Sequence, residues 1–326
     1  MKSFIEHLRT LFILGRVSNL PTVWSNLIVG WALANGNSIG PGHGPATPTP
    51  LLLVLFGGSF LYVGGMYLND YFDSAFDARY CQMRPIPAGK ISRRTVGFLT
   101  VLWFTAGFAC YISFGPVTIV TTLLLITAII AYDFHHKDVA WAPLLMGACR
   151  CLLYLLAFSA FRESFYFSTV DGSWWNDAFD YIRSDFLPMT LDLIRFFPAA
   201  IPLGLYIAGI TYLARGESRP QKPTRWALVL LFVPVVFAYC VRAGSNIPYA
   251  PWLLPAFCLL QIIWMAWLLI PFWRKSAPSI GRIVSGLIAG IVLVDMIALL
   301  PTGPLGIVLL PLFAFALLLQ RIIPAT

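Results

Sequence analysis

Three aspartates spaced i, i+3 and i+7 (Asp70, Asp73 and Asp77) stand at the end of an apolar run, in the stretch "NDYFDSAFDARYCQMRPIPAGKIS", residues 69–92. On a helix of 3.6 residues per turn, this spacing gathers the three carboxylates within an arc of about 60°. Carboxylates so close repel one another unless a cation sits among them. Mg2+ is the hard cation suited to an all-oxygen site that keeps room for substrate phosphates, so the pattern points to a diphosphate held through Mg2+. Arg79, Arg84 and Lys90 follow in the same segment and offer donors to phosphate oxygens, the arginines through paired hydrogen bonds. Solvated charge at a membrane boundary is the plainer explanation, but the bias of inner loops toward Lys and Arg gives no reason for three acids in register.

The elements that must position these residues are membrane helices. With 59% hydrophobic residues, 11% charged residues and a mean hydropathy of +0.78 over 326 residues, the chain reads as an all-α polytopic membrane protein. Apolar stretches predict ten spans at roughly 19–36, 51–68, 95–113, 116–134, 141–160, 196–214, 226–243, 252–272, 280–299 and 304–321. A cytoplasmic N-terminus puts most of the 22 basic residues inside; Arg162, Arg183, Arg195 and Arg242 fall outside, and Arg150 lies within a span. The net charge of +8 is thereby explained by orientation in the membrane, with no call for nucleic acid. Residues 1–16 read as an amphipathic interfacial helix and 161–194 as an extracytoplasmic excursion, within one domain covering 1–326. The six cysteines show neither metal spacing nor a disulfide framework.

Asn69-Asp70-x-x-Asp73-x-x-x-Asp77, followed by Arg84-Pro85-Ile86-Pro87 and Gly89-Lys90, resembles the first aspartate-rich motif of the UbiA superfamily of intramembrane prenyltransferases. The segment "GRVSNLPTVWSNLIVG" (15–30) is similar to the family's first span, with Arg16 and Asn26 lining the site, and "AYDFHHK" (131–137) to its Tyr/Lys segment, with Tyr132 and Lys137. The resemblance implies nine or ten transmembrane helices around a lipid-accessible central cavity. It also implies a polyprenyl diphosphate donor, Mg2+, an allylic carbocation, and an aromatic or other lipophilic acceptor in a bacterial-type inner membrane. Asn69 joins the implied substrate-binding set.

The family's second aspartate motif has no aspartate counterpart here: "LYIAGITYLARGESRPQKPTR" (205–225) offers Thr211, Arg215 and Glu217 instead. Either Glu217 alone supplies a metal ligand, completing the catalytic set, while Arg215 contacts the diphosphate directly, or the chain keeps the fold and the first motif but works on a different donor or has weakened catalysis. Arg150, expensive in a lipid-facing position, is expected to face the cavity or pair with an acid, and is a candidate diphosphate ligand. Asp133, Asp138, His135 and His136 read as interfacial polarity, and Asp295 as a packing feature near the outer end, away from the site. The alternatives to an enzyme are a non-catalytic isoprenoid-binding relative and a lipid carrier or transporter. The charges gather at one face rather than at the midplane, which disfavours a transporter.

Overall fold

The computed structural model describes residues 2–35, 48–135, 139–169, 186–215, 225–242, 252–273, 280–300 and 304–325. Among the described residues there are helices and no strand. In chain order they are α1 (Lys2–Leu14), α2 (Leu20–Asn35), α3 (Thr49–Tyr80), α4 (Arg93–Tyr111), α5 (Pro116–His135), α6 (Ala142–Thr169), α7 (Phe186–Ala214), α8 (Arg225–Arg242), α9 (Leu253–Trp273), α10 (Ile280–Ala289), α11 (Ile291–Ala298) and α12 (Leu310–Ile322). Among the described residues, six segments are long and apolar enough to cross a membrane: Thr49–Tyr80, Pro116–His135, Ala142–Tyr166, Phe196–Ala214, Leu253–Ile270 and Ile280–Ala298. Trp226–Cys240 and Gly306–Ile322 are shorter apolar helices. The chain is an integral membrane protein. α2 and α4, which the sequence reading counts as spans, fall in neither group, and the span expected over 280–299 is divided at Gly290 into α10 and α11.

The helix ends follow from local chemistry. α4 starts where the Ser92 hydroxyl accepts a hydrogen bond from the Thr95 amide at 3.1 Å, an N-cap that satisfies one of the free donors of the first turn. The α5 N-terminus is capped from another helix. The carboxylate of the fully buried Glu163 on α6 accepts from the Val117 and Thr118 amides, both at 2.9 Å, placing negative charge at the positive end of the helix dipole. Gly89, at φ 71°, turns the segment between α3 and α4 back on itself, a conformation that glycine adopts without a side-chain penalty.

Small residues set how closely the site-bearing helices approach, as expected where lipid leaves packing rather than hydrophobic exclusion to hold helices together. A Cβ on Gly30 of α2 would stand 2.2 Å from the Tyr154 carbonyl oxygen of α6, and one on Gly147 of α6 would stand 2.3 Å from the Gly204 carbonyl oxygen of α7. α6 is therefore pressed between α2 and α7 at contacts that any side chain would open. α1 is tied to α3 by the Tyr67 hydroxyl, which donates to the Leu11 carbonyl at 3.1 Å, and it exposes Phe4, Ile5, Leu8 and Phe12.

Candidate active site

α3 carries the aspartates to one end of the bundle. Asp70, Asp73 and Asp77 are all buried, at 7%, 8% and 3% exposure, so the face predicted from their spacing points inward rather than to bulk solvent. The loop after α3 folds over them. Arg84 Nη1 donates to Asp77 Oδ2 at 3.0 Å and to Asp70 Oδ1 at 3.4 Å. Burial disfavours the charge on Arg84, but the carboxylates of Asp70 and Asp77 outweigh it and hold the guanidinium above its ordinary pKa. Arg16 approaches from the other side, with Nη2 donating to Asn69 Oδ1 at 3.4 Å and lying 3.8 Å from Asp70 Oδ1. Its backbone is left-handed, φ 42°, a conformation that costs an arginine about 1 kcal/mol or more and is held only by its surroundings.

The donor chemistry fits a divalent cation. Asp70 and Asp77 already converge on one positive group, the Arg84 guanidinium, and all their donor atoms are hard oxygens of the kind Mg2+ selects. As the structure stands, among the described residues no three His, Cys, Asp or Glu side chains group closely enough to hold a metal. Asp70 and Asp77, which Arg84 engages here, are the carboxylates that would hold Mg2+.

Below the cluster lies a cavity of about 200 Å³. Its walls are mostly apolar, among them Leu61, Leu125, Leu153, Ile207 and Ile291; its polar lining is Arg16, Asn19, Tyr62, Tyr132, Asp133, Arg150 and Thr211. The three aspartates are not part of the lining; Gly65 and Met66 earlier on α3 are, and Arg16, itself a lining residue, lies 3.8 Å from Asp70 Oδ1. Tyr62 and Tyr132 are the aromatic rings of the lining. Many other large aromatics, including Phe98, Trp226, Trp252 and Trp267, are exposed on the outside of the bundle, where lipid contact accounts for them.

The other residues named from the sequence are distributed as follows. Tyr132 and Arg150 line the cavity. Asn69 bridges Arg16 to α5, its Nδ2 donating to Asp133 Oδ1 at 3.2 Å. Arg79 and Lys90 are exposed, outside the cluster. Arg215 lies at the end of α7, where its guanidinium donates to the backbone carbonyls of Val139 at 2.7 Å and Ala140 at 3.3 Å. Glu217, Lys137, His136 and Asp138 lie outside the described residues. Asn26 is fully buried behind the cavity wall, where its Oδ1 accepts from Arg150 Nη1 at 2.8 Å.

Two residues have a different place from the one the sequence suggests. Asp133, read as interfacial polarity, is buried at 4% exposure and lines the cavity; the signal for it was an acid directly after a site-facing tyrosine in an apolar span. Asp295, read as a packing feature away from the site, accepts from Asn26 Nδ2 at 3.1 and 2.8 Å and from the Tyr154 hydroxyl.

Known proteins agree with this architecture. The UbiA prenyltransferase family model matches residues 22–280. A 4-hydroxybenzoate octaprenyltransferase of Edwardsiella ictaluri is 26% identical over 164 residues, 49% of this chain and 54% of that protein. Another, from Serratia proteamaculans, is 24% identical over 152 residues, 45% of this chain and 49% of that protein. The chain thus spans about half the length of the curated relatives it matches. Among solved structures, the apo form of a UbiA homolog from Aeropyrum pernix K1 shares the fold, with a TM-score of 0.62 at 12% identity over 86% of this chain and 96% of that one.

Proposed function

Because the chain belongs to the UbiA prenyltransferase family, we propose that it is a membrane-embedded transferase moving a prenyl group from a polyprenyl diphosphate to an aromatic or other lipophilic acceptor. The observation that carries this reading is the convergence of buried Asp70 and Asp77 on a single cationic group, with Arg16 joining Asp70 to a largely apolar cavity. Asp70, Asp73 and Asp77 would hold Mg2+, and bound Mg2+ neutralises the diphosphate as it leaves.

The chain's own groups account for the rest. Arg84 and Arg16, freed from Asp70, turn to diphosphate oxygens and keep the leaving group oriented. The bond between the allylic carbon and the diphosphate oxygen breaks, a carbon bond to the acceptor forms, and the acceptor loses a proton. The apolar walls hold the prenyl chain and exclude the water that would quench the carbocation. The rings of Tyr62 and Tyr132 offer faces to the positive charge. Asn69 couples the metal end to Asp133 across the cavity. N-terminus and rim on the cytoplasmic side complete the proposal, on the strength of the basic residues gathered there.

Pyrophosphate release tests the reading. The purified full chain in lipid nanodiscs, given geranyl or farnesyl diphosphate, Mg2+ and a panel of phenolic acceptors, should release pyrophosphate, and Asp70→Ala should abolish the release. Mg2+-dependent donor binding without release by any acceptor would favour the non-catalytic relative. The absence of any acid in the described end of α7 gives that second reading its motive.

A further inference from the structure

Ile323, the residue after α12, stands before Pro324, whose ring forces its predecessor out of the helical conformation. Its backbone is accordingly extended, at φ −126° and ψ 123°. The chain therefore leaves α12 as an extended strap, residues 323–325, whose carbonyls have left the helical ladder. Ile323 and Ala325 are buried, and Ala325 lines the same cavity as Arg16, Asn19 and Tyr62. Non-helical backbone is costly in a membrane protein unless protein groups satisfy it.

The satisfying groups come from the turn that follows Arg16, 306 positions away. Asn19 Nδ2 donates to the Ala325 carbonyl at 3.0 Å and Ser18 Oγ to the Pro324 carbonyl at 3.4 Å. Both donors belong to one short 3-10 turn, Val17–Asn19, and both are buried. The rest of the Asn19 carboxamide is also engaged: Nδ2 donates to the Tyr62 hydroxyl of α3 at 3.1 Å, and Oδ1 accepts from Gln320 Nε2 of α12 at 3.4 Å. A backbone carbonyl only accepts, so the NH2 must face the strap and the oxygen is left to Gln320. Asn19 thus ties strap, α12 and α3 to one turn.

That turn opens on Arg16, left-handed at φ 42° and ψ 47°, a conformation an arginine keeps only where its surroundings over-determine it. The Arg16 amide donates to the Ile13 carbonyl at 3.1 Å, and the Arg16 carbonyl accepts from the Asn19 amide at 3.0 Å. Asn19 therefore closes the turn through its backbone and anchors it through its side chain. The guanidinium that leaves this turn donates to Asn69 at 3.4 Å and lies 3.8 Å from Asp70. Arg16, Asn19 and the strap all lie outside residues 22–280, the part matched by the family model.

We propose that Asn19 is a positioning residue and residues 323–325 the strap it grips, and that together they hold the Arg16 turn in its left-handed form and aim the guanidinium at the aspartate end for the donor diphosphate. The proposal rests on the prenyl-transfer reading of the cavity and deepens it by assigning part of the donor's grip to a segment remote from the aspartate motif. Leucine at position 19 leaves the buried Ala325 carbonyl without its donor, which is expensive, so the strap shifts and the turn relaxes.

A double-mutant cycle tests it. The full chain in nanodiscs is titrated with geranyl diphosphate plus Mg2+. Arg16→Gln should weaken binding about ten-fold, as loss of one charged hydrogen bond does. Asn19→Leu should weaken it about five-fold or more, and the double variant should stay within about two-fold of Arg16→Gln, because Asn19 acts only through Arg16. If Asn19→Leu fails to fold, Ser18→Ala combined with Gln320→Leu loosens the strap while keeping Asn19, and should weaken binding about three-fold by the same route. Hydrogen exchange reads the grip without a ligand: the amides of residues 15–19 should exchange about ten-fold faster in either variant than in wild type. Glu163→Gln, which weakens the α5 cap, controls for lost stability and should change neither readout.

Wild-type affinity in Asn19→Leu, losses that multiply in the double variant, or unchanged exchange at residues 15–19 would each overturn the proposal. Multiplying losses would make Asn19 a donor contact in its own right. Failure of wild type to bind geranyl diphosphate would instead sink the prenyl-transfer reading and with it the donor role of Arg16, while the strap's grip on the turn is scored separately by exchange.

Discussion

Replacing Arg84 with methionine should weaken the protein without Mg2+ and strengthen its hold on Mg2+. Arg84 Nη1 makes two charge-assisted contacts, 3.0 Å to Asp77 and 3.4 Å to Asp70, from a side chain that is 33% exposed. Such contacts are worth about 1.5–3 kcal/mol each when sheltered. The exposure and the longer second distance reduce the pair to about 2 kcal/mol together. Methionine keeps most of the aliphatic stem, so the loss is largely the charge. In wild type a metal must first displace the guanidinium, and about 2 kcal/mol of displacement corresponds to roughly 30-fold weaker apparent Mg2+ affinity than in Arg84→Met. At a hundred-fold excess over its Kd, Mg2+ returns about 2.7 kcal/mol, enough to offset the variant's deficit. Thermal unfolding in nanodiscs, with EDTA and then across a MgCl2 titration, measures both effects. The expected result is a lower midpoint in EDTA, recovery with Mg2+, and a half-saturating Mg2+ concentration well below that of wild type. Equal Mg2+ midpoints in the two proteins would refute the idea that guanidinium and metal compete for the same carboxylates.

The helix contacts make two further predictions. Gly30→Ala pushes a methyl group to 2.2 Å from the Tyr154 carbonyl oxygen, so α2 and α6 must separate. This should cost about 1–3 kcal/mol and stretch the 2.8 Å Asn26–Arg150 bond one turn away. A thermal midpoint equal to wild type would show that the approach is not tight. Glu163→Gln removes one of two backbone acceptors and the charge at the α5 N-terminus. A loss of about 1–2 kcal/mol, read as a lower unfolding midpoint with pyrophosphate release intact below it, is expected; selective loss of activity would give Glu163 a role beyond the cap.

What the sequence determined alone is whatever depends on neighbours along the chain. The grouping of Asp70, Asp73 and Asp77 on one face follows from helical periodicity, and all three are buried. The membrane class follows from apolar content, and the start of α4 from Ser92. The residues that depend on how helices pack were not legible. Asn26 and Asp295 are 269 positions apart, and nothing local in either segment marks the other as its partner. Their meeting depends on α11 packing against α2 across the bundle. Arg150 was expensive enough in lipid to be recognised as inward-facing. Its protein acceptors, Asn26 Oδ1 and the Thr22 carbonyl, both come from α2 and follow only from the packing of α6 against that helix. Hydropathy and spacing act along one helix, whereas this cavity is lined from α3, α5, α6, α7, α10 and α11 together, and their mutual register is set by side-chain packing across the bundle.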